Sequence, residues 1–216
     1  MRIVHILLMT ALASIGTQVA SGEPFGFPTV PAPHNRFAKE WRNVRDAWAF
    51  EHKMLDRCRI DREGCPSRSA LQFLAVIDDA RFQIGRARLG HVNRAINLKI
   101  RSMSDLRNYG VPEKWTAPLA TFSNGAGDCT DYAIAKYFAL GEIGISANNR
   151  RLVVVRFKLQ HNMLHTVLAV RENQHWWILD NRRMSMIDAA NDTEYFPLLE
   201  FSNRGVRRYK SVLSGM

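Results

Sequence analysis

Cysteine is scarce in this chain, with three in 216 residues. That number excludes a disulfide-dense scaffold and a four-thiolate zinc site. Acidic residues are outnumbered, 20 Asp+Glu against 30 Lys+Arg, for a formal charge of +10. The excess favours anionic surroundings such as nucleic acid, anionic lipid or a cell-wall polymer, but says nothing about fold. Neither a nucleic-acid-binding motif nor a basic patch interleaved with aromatics is present, so no nucleic-acid partner is expected. Beyond residue 21 no apolar run approaches the ~20 residues of a spanning helix, and no transmembrane segment is expected in the processed chain. There is no internal repeat and no sign of a second domain. What is present is 46% hydrophobic and 23% charged residues, enough for one ordinary core and incompatible with a disordered chain.

The first residues read as an address. Arg2 supplies a positive start, the run Ile3 to Ile15 is almost wholly apolar, and Ala20, Ser21 and Gly22 are small. This order predicts a secretory signal peptide over residues 1–21 and a periplasmic or secreted product. Its removal changes the charge only from +10 to +9, since the segment holds one Arg and no acid. Residues 22–35, with Pro24, Pro28, Pro31 and Pro33, read as an extended Pro-rich leader, and 36–216 as the domain. In an oxidising compartment Cys58 and Cys65 suit a local disulfide, within a polar segment where Gly64 and Pro66 flank Cys65. Cys129 is then left over as a candidate reactive thiol.

Helical spacing of Trp41, Val44, Trp48 and Leu55 predicts a helix over 36–57. A second helix is expected from Pro66-Ser67, carrying Leu71, Leu74, Ile77 and Phe82. A third carries Leu89, Val92, Ile96 and Ile100. Arg81, Arg86, Arg88 and Arg94 accompany these two and read as solvated faces. Residues 102–127 read as irregular, with Gly110, Pro112, Pro118 and Gly125. A strong helix then opens at Asp128, a good cap, in DCTDYAIAKYFAL. After it the period changes: Leu152–Phe157, His165–Val170 and Trp176–Leu179 read as antiparallel strands, with a further edge strand near Phe196–Phe201 or Arg204–Lys210. Helices first and strands later give an α+β domain.

Chemistry concentrates at Cys129. A helix N-terminus stabilises a thiolate through oriented N–H groups, and the Cys129 amide could donate to an oxyanion on an attacked carbonyl. Such a nucleophile needs a base. Among seven histidines, His165 stands apart because it opens a central strand, where a polar ring has no packing reason to be. Asp180 ends the next strand, and a hairpin would bring it to the same sheet edge to orient the imidazole. His161 and His165 have the i, i+4 spacing of a zinc pair. However, Asn162 stands where a metalloprotease needs Glu, so His161 reads as a hairpin-tip residue and no zinc site is expected.

GAGDCTDYAIAKYFAL, HTVLAV and WILDNR, in this order, resemble the bacterial transglutaminase-like cysteine proteinase family. The likeness runs from about Trp41 to Arg208 and includes LGHVNRAINLKI and the Trp-containing loop before the cysteine. It implies a papain/transglutaminase-like fold in which N-terminal helices and the nucleophile helix pack on an antiparallel sheet. It also implies a cysteine peptidase with Cys129 as nucleophile, His165 as base and then acid, and Asp180 as the orienting residue. The best-known members are periplasmic proteases that cut a large surface adhesin and release biofilm cells. An envelope protein substrate and an inner-membrane regulatory receptor are therefore the implied partners. The same triad could instead serve a transglutaminase or a cell-wall peptide amidase, and the fold could serve as a non-catalytic envelope binding module. Members that use calcium carry acids around the cysteine in an Asp-Cys-Glu-Asp pattern. Asp128 and Asp131 match as metal ligands, but Thr130 replaces the Glu. Calcium prefers six to eight oxygens, so both readings of the two acids stay open: cation ligands, or helix capping. Trp115 and Asn124 are oxyanion-side residues by position alone.

Overall fold

The computed structural model describes residues 22–160 and 163–210. The expected signal peptide and His161 lie outside the described residues. The apolar spacing around Trp41 becomes helix α1, Phe37–Ile60, which buries Trp41, Val44 and Leu55 and packs Trp48 against the same core. Helix α2, Arg68–Arg81, is capped by Ser67, whose hydroxyl accepts from the Ala70 amide at 3.2 Å. It buries Leu74 and Ile77. Phe82 does not continue that stripe; the helix stops one residue earlier and the ring is 87% exposed. Helix α3, Arg86–Lys99, buries Leu89, Val92 and Ile96, with Ile100 buried just past its end. Its arginines are not simply solvated: Arg88 pairs with Glu172 at 3.2 Å, and Arg86 lies over the Trp177 ring at 4.1 Å. The Cys58–Cys65 disulfide ties the end of α1 to the start of α2. Closing so short a loop stabilises the fold by about 2.5 kcal/mol.

Residues 102–127 are more ordered than their composition suggests. They contain helices α4, Asp105–Tyr109, and α5, Pro118–Asn124. Pro118 starts a helix rather than breaking one, because the first turn has no use for its missing N–H. Glu51 of α1 supplies the cap that Ala117 cannot, accepting from the amides of Leu119 at 2.7 Å and Ala120 at 2.9 Å. Two short parallel strands, β2 (Arg101–Ser102) and β3 (Ala126–Gly127), tie the end of α3 to the residues just before Asp128.

The sheet is antiparallel throughout, in the order β1-β9-β8-β4-β5-β6-β7. Its strands are β1 (Thr29–Pro31), β4 (Arg150–Phe157), β5 (Leu164–Glu172), β6 (His175–Leu179), β7 (Ile187–Asp188), β8 (Tyr195–Ser202) and β9 (Gly205–Tyr209). The segment expected at the edge, Phe196–Phe201, lies in the interior strand β8; the edges are β1 and β7. β1 comes from the Pro-rich segment, where a proline on an edge strand sacrifices no ladder bond it could have made inward.

Both faces of the sheet are covered, which accounts for the unbroken apolar run Leu152–Val155 in β4. Leu152, Val154, Leu168 and Val170 join the helical core, while Val153, Val155, Val167 and Ala169 join a second cluster with Tyr195, packed by Phe25 and Phe27. The central helix α6, Cys129–Glu142, packs on β4 and β5 and against α2, α3 and α5.

Candidate active site

Asp128 fixes the start of α6. Its carboxylate accepts from the amides of Thr130 at 2.8 Å and Asp131 at 3.3 Å. The Asp131 carboxylate in turn accepts from the Asp128 amide at 3.2 Å. This reciprocal capping box makes Cys129 the first helical residue. Gly127 is required beside it, since a Cβ there would fall 2.7 Å from the Asp131 side chain.

His165 and Asp180 meet as the hairpin predicts. His165 Nε2 lies 2.8 Å from Asp180 Oδ1, and both side chains are buried. The Arg182 amide donates to the same oxygen at 3.0 Å, and the Tyr195 hydroxyl donates to Oδ2 at 2.6 Å. Burial opposes the Asp180 charge. The hydrogen bond and attraction from His165, with the Arg182 amide and the Tyr195 hydroxyl, outweigh it and hold the carboxyl at about 2. Facing an ionised carboxylate, Nε2 carries the proton and leaves Nδ1 as the basic atom. The ring is further held by stacking on Phe157, with centroids 5.5 Å apart. Burial, then the Asp180 hydrogen bond, drives the Tyr195 hydroxyl well above its usual range, so it serves only as a donor.

Cys129 and His165 line one small cavity of about 120 Å³ with Phe37, Trp115, Asp128 and Thr166. They reach it differently. Alternation along β5 turns Thr166 toward α6, where its hydroxyl lies 3.0 Å from that of Thr130, and turns His165 to the Phe157 side. No hydrogen bond joins thiol and imidazole in this state; the groups acting on the sulfur are the Thr166 amide and the Thr130 and Thr166 hydroxyls. Burial, then the Asp128 carboxylate, pushes the thiol up to about 12, against those hydrogen bonds. At the helix start, burial and the capping acid thus work against the thiolate that the oriented N–H groups favour. Trp115 is in this cavity, buried and stacked on Phe37 with centroids 5.6 Å apart. Asn124 is not. Its amide donates to Asn108 Oδ1 at 2.6 Å and to the Ala126 carbonyl at 3.1 Å.

Asp128 and Asp131 are joined by a third acid, Asp105 of α4, with one ligand atom of each within 4.8 Å of the others. Asp105 Oδ2 accepts from the Lys114 amide at 2.6 Å, while Oδ1 is buried with no hydrogen-bond partner. Asp131 Oδ1 accepts from the Thr116 amide at 3.1 Å and hydroxyl at 2.6 Å. Burial and mutual repulsion raise Asp128 to about 7; burial, then repulsion by Asp105, raises Asp131 to about 6. Asp105 is raised too, chiefly by burial. Three converging hard oxygen donors with an orphaned buried oxygen fit a hard cation. Thr130, at the position of the missing Glu, is engaged with Thr166 instead. Sequence reading missed Asp105 and Tyr195. Neither lies near its partners along the chain, and no spacing rule links them.

Residues 49–214 match the family of bacterial transglutaminase-like cysteine proteinases. Three solved structures of LapG from Legionella pneumophila share the fold. One is 22% identical, covers 73% of this chain and 86% of its own, and has a TM-score of 0.58. A calcium-bound form is 23% identical over 76% of this chain and 92% of its own, with a TM-score of 0.59. An EGTA-treated form is 22% identical over 76% and 87%, also with a TM-score of 0.59. Comparison with curated protein sequences gives no match.

Proposed function

This chain belongs to the bacterial transglutaminase-like cysteine proteinase family and is a cysteine peptidase, and from that premise we propose that it is an exported endopeptidase that cuts an envelope or surface protein of the adhesin type through Cys129, His165 and Asp180. The observation that carries the residue assignment is the buried Asp180–His165 pair, whose imidazole lines the same cavity as the cysteine at the head of α6. Nδ1 of His165 takes the thiol proton as sulfur attacks the peptide carbonyl. The Cys129 amide, at the helix start, faces the oxyanion that forms. The imidazolium then protonates the leaving amine, and water releases the acyl group. Burial and the Asp128 carboxylate oppose a free thiolate, which favours proton transfer to His165 as the sulfur attacks. The charged, apolar and then small-residue order of the first 22 residues supports a periplasmic or secreted location.

The test is alkylation of the folded, unreduced protein by iodoacetamide, with the site mapped by mass spectrometry and peptide hydrolysis followed alongside. Labelling at Cys129 should abolish hydrolysis, and His165→Ala should slow that labelling at least tenfold. Labelling only after unfolding, or at an undiminished rate in His165→Ala, would overturn the assignment. Amine incorporation in place of hydrolysis would make the chain a transglutaminase.

Asp105, Asp128 and Asp131 would hold calcium, and the calcium-bound LapG structure makes that ion the natural probe. Bound calcium would neutralise Asp128 and so remove a charge that opposes the thiolate. The pH dependence follows from the raised acids. A carboxyl raised in the folded state stabilises the fold below its unfolded value and loses that contribution as pH rises toward its folded value, here about 6 to 7. The metal-free protein therefore gives up stability between about pH 4 and 7, and calcium should restore it. The expected result is a larger rise in melting temperature on adding calcium at pH 7.5 than at pH 5, lost in Asp131→Asn. An equal rise at both pH values would rule out these acids as the ligands.

A further inference from the structure

The catalytic cavity does not stand alone. Trp115 walls it and also walls a second, larger cavity of about 530 Å³, whose lining includes Ala117, Ala120, Ser123 and Asn124. These four recur at three- and four-residue spacing, so they form one face of α5 and its cap. Ser123 in turn walls a third cavity of about 510 Å³, together with Arg68, Lys99, Ser69 and Gln72. Helix α5 therefore floors a track that leads from the catalytic cavity, past Trp115, to Arg68 and Lys99 beyond its far end. The helix has seven residues, about 10 Å, which is the span of about three residues of extended chain.

Charge changes along this track. Asp128 and Glu113 line the catalytic cavity, and Glu113 accepts from the Trp115 indole at 2.7 Å. In the middle cavity Glu51 is spent on the first amides of α5, and Lys114 lies over the Tyr109 ring at 4.0 Å. No acid lines the far cavity. Arg68 and Lys99 are both exposed there, and among the described residues neither side chain makes an ion pair or hydrogen bond. Two cations without a counter-ion in one concavity attract a carboxylate.

We infer that the track binds the substrate polypeptide in extended form, and that Arg68 and Lys99 are specificity-determining residues for an acidic side chain at least about three residues from the scissile bond. The inference rests on the proposal that Cys129 cuts a peptide bond, and it names the substrate class: a protein segment carrying Asp or Glu at that remove. Such a remote contact holds the scissile carbonyl in register at the sulfur.

Two measurements test it. A proteome-derived peptide library is cut with the wild-type protein, and the products are aligned on the cleaved bond by mass spectrometry. Asp and Glu should be about fivefold enriched at one position at that remove or further. The enrichment should vanish with the Arg68→Gln/Lys99→Gln double variant and give way to Lys and Arg with Arg68→Glu/Lys99→Glu. No acidic preference at any fixed position, or one that survives both pairs of substitutions, overturns the inference. The second measurement decides even where the library stays uncut. A rhodamine-labelled hexaglutamate peptide should bind Cys129→Ala about fivefold less tightly when the protein also carries Arg68→Gln and Lys99→Gln. Equal binding overturns the subsite. So does an equal loss from Lys53→Gln/Arg57→Gln, which removes two exposed cations of α1 that line none of the three cavities. Failure of the triad reading is separate, because it shows in the wild-type protein as Cys129 labelling that ignores His165.

Discussion

Cys129→Ala should lower peptide hydrolysis by on the order of 10⁴-fold or more and shift the melting temperature by no more than about 2 °C. The size of the first number follows from covalent catalysis. Without sulfur there is no acyl intermediate, and His165 and the helix-start amides are left to assist only direct attack by water. The smallness of the second follows from the surroundings. Cys129 is half-buried rather than a core residue, and the backbone capping of α6 depends on Asp128 and Asp131, which the variant keeps. Hydrolysis rates and thermal melts on the same preparation make the check. A variant that loses several degrees along with activity would identify Cys129 as a packing residue and withdraw its chemical role.

Asp180→Asn should cost on the order of 10⁴-fold in kcat with KM little changed. The amide matches the carboxylate in shape, so the hairpin and the contact with Tyr195 can persist. What disappears is the charge that makes Nε2 the protonated nitrogen and stabilises the imidazolium during attack. The three donors now satisfied by Asp180, His165 Nε2, the Arg182 amide and the Tyr195 hydroxyl, would be left with a single carbonyl oxygen to share. A rise in KM with kcat preserved would show that Asp180 shapes substrate binding and leaves the tautomer alone. Steady-state kinetics on one peptide substrate separate the two outcomes.

Much of the site could be read along the chain because its determinants are local. The cap at Asp128, the cysteine at the first helical position and the glycine before them are one continuous motif. Strand periodicity was enough to bring His165 and Asp180 to a common edge, since hairpin partners are neighbours in sequence and in space. Local disulfide chemistry was legible for the same reason. Residues 102–127 were harder. The cap of α5 comes from Glu51, 68 residues earlier, so nothing within the segment announces that Pro118 begins a helix.

Composition, capping and periodicity by themselves determined the class of fold, the helix that carries the cysteine and the two residues that could serve it. Tertiary structure alone decided the order of the strands, with β8 inside and the Pro-rich segment at the edge. It also decided that Asp105 joins Asp128 and Asp131, and that Tyr195 steadies Asp180. It set burial and the Asp128 carboxylate against the thiolate that the helix start favours at Cys129. The division has one physical cause. Helix and strand patterns are written over a few consecutive residues, whereas desolvation and charge coupling depend on which distant groups share a low-dielectric space, and only the folded chain assembles that space.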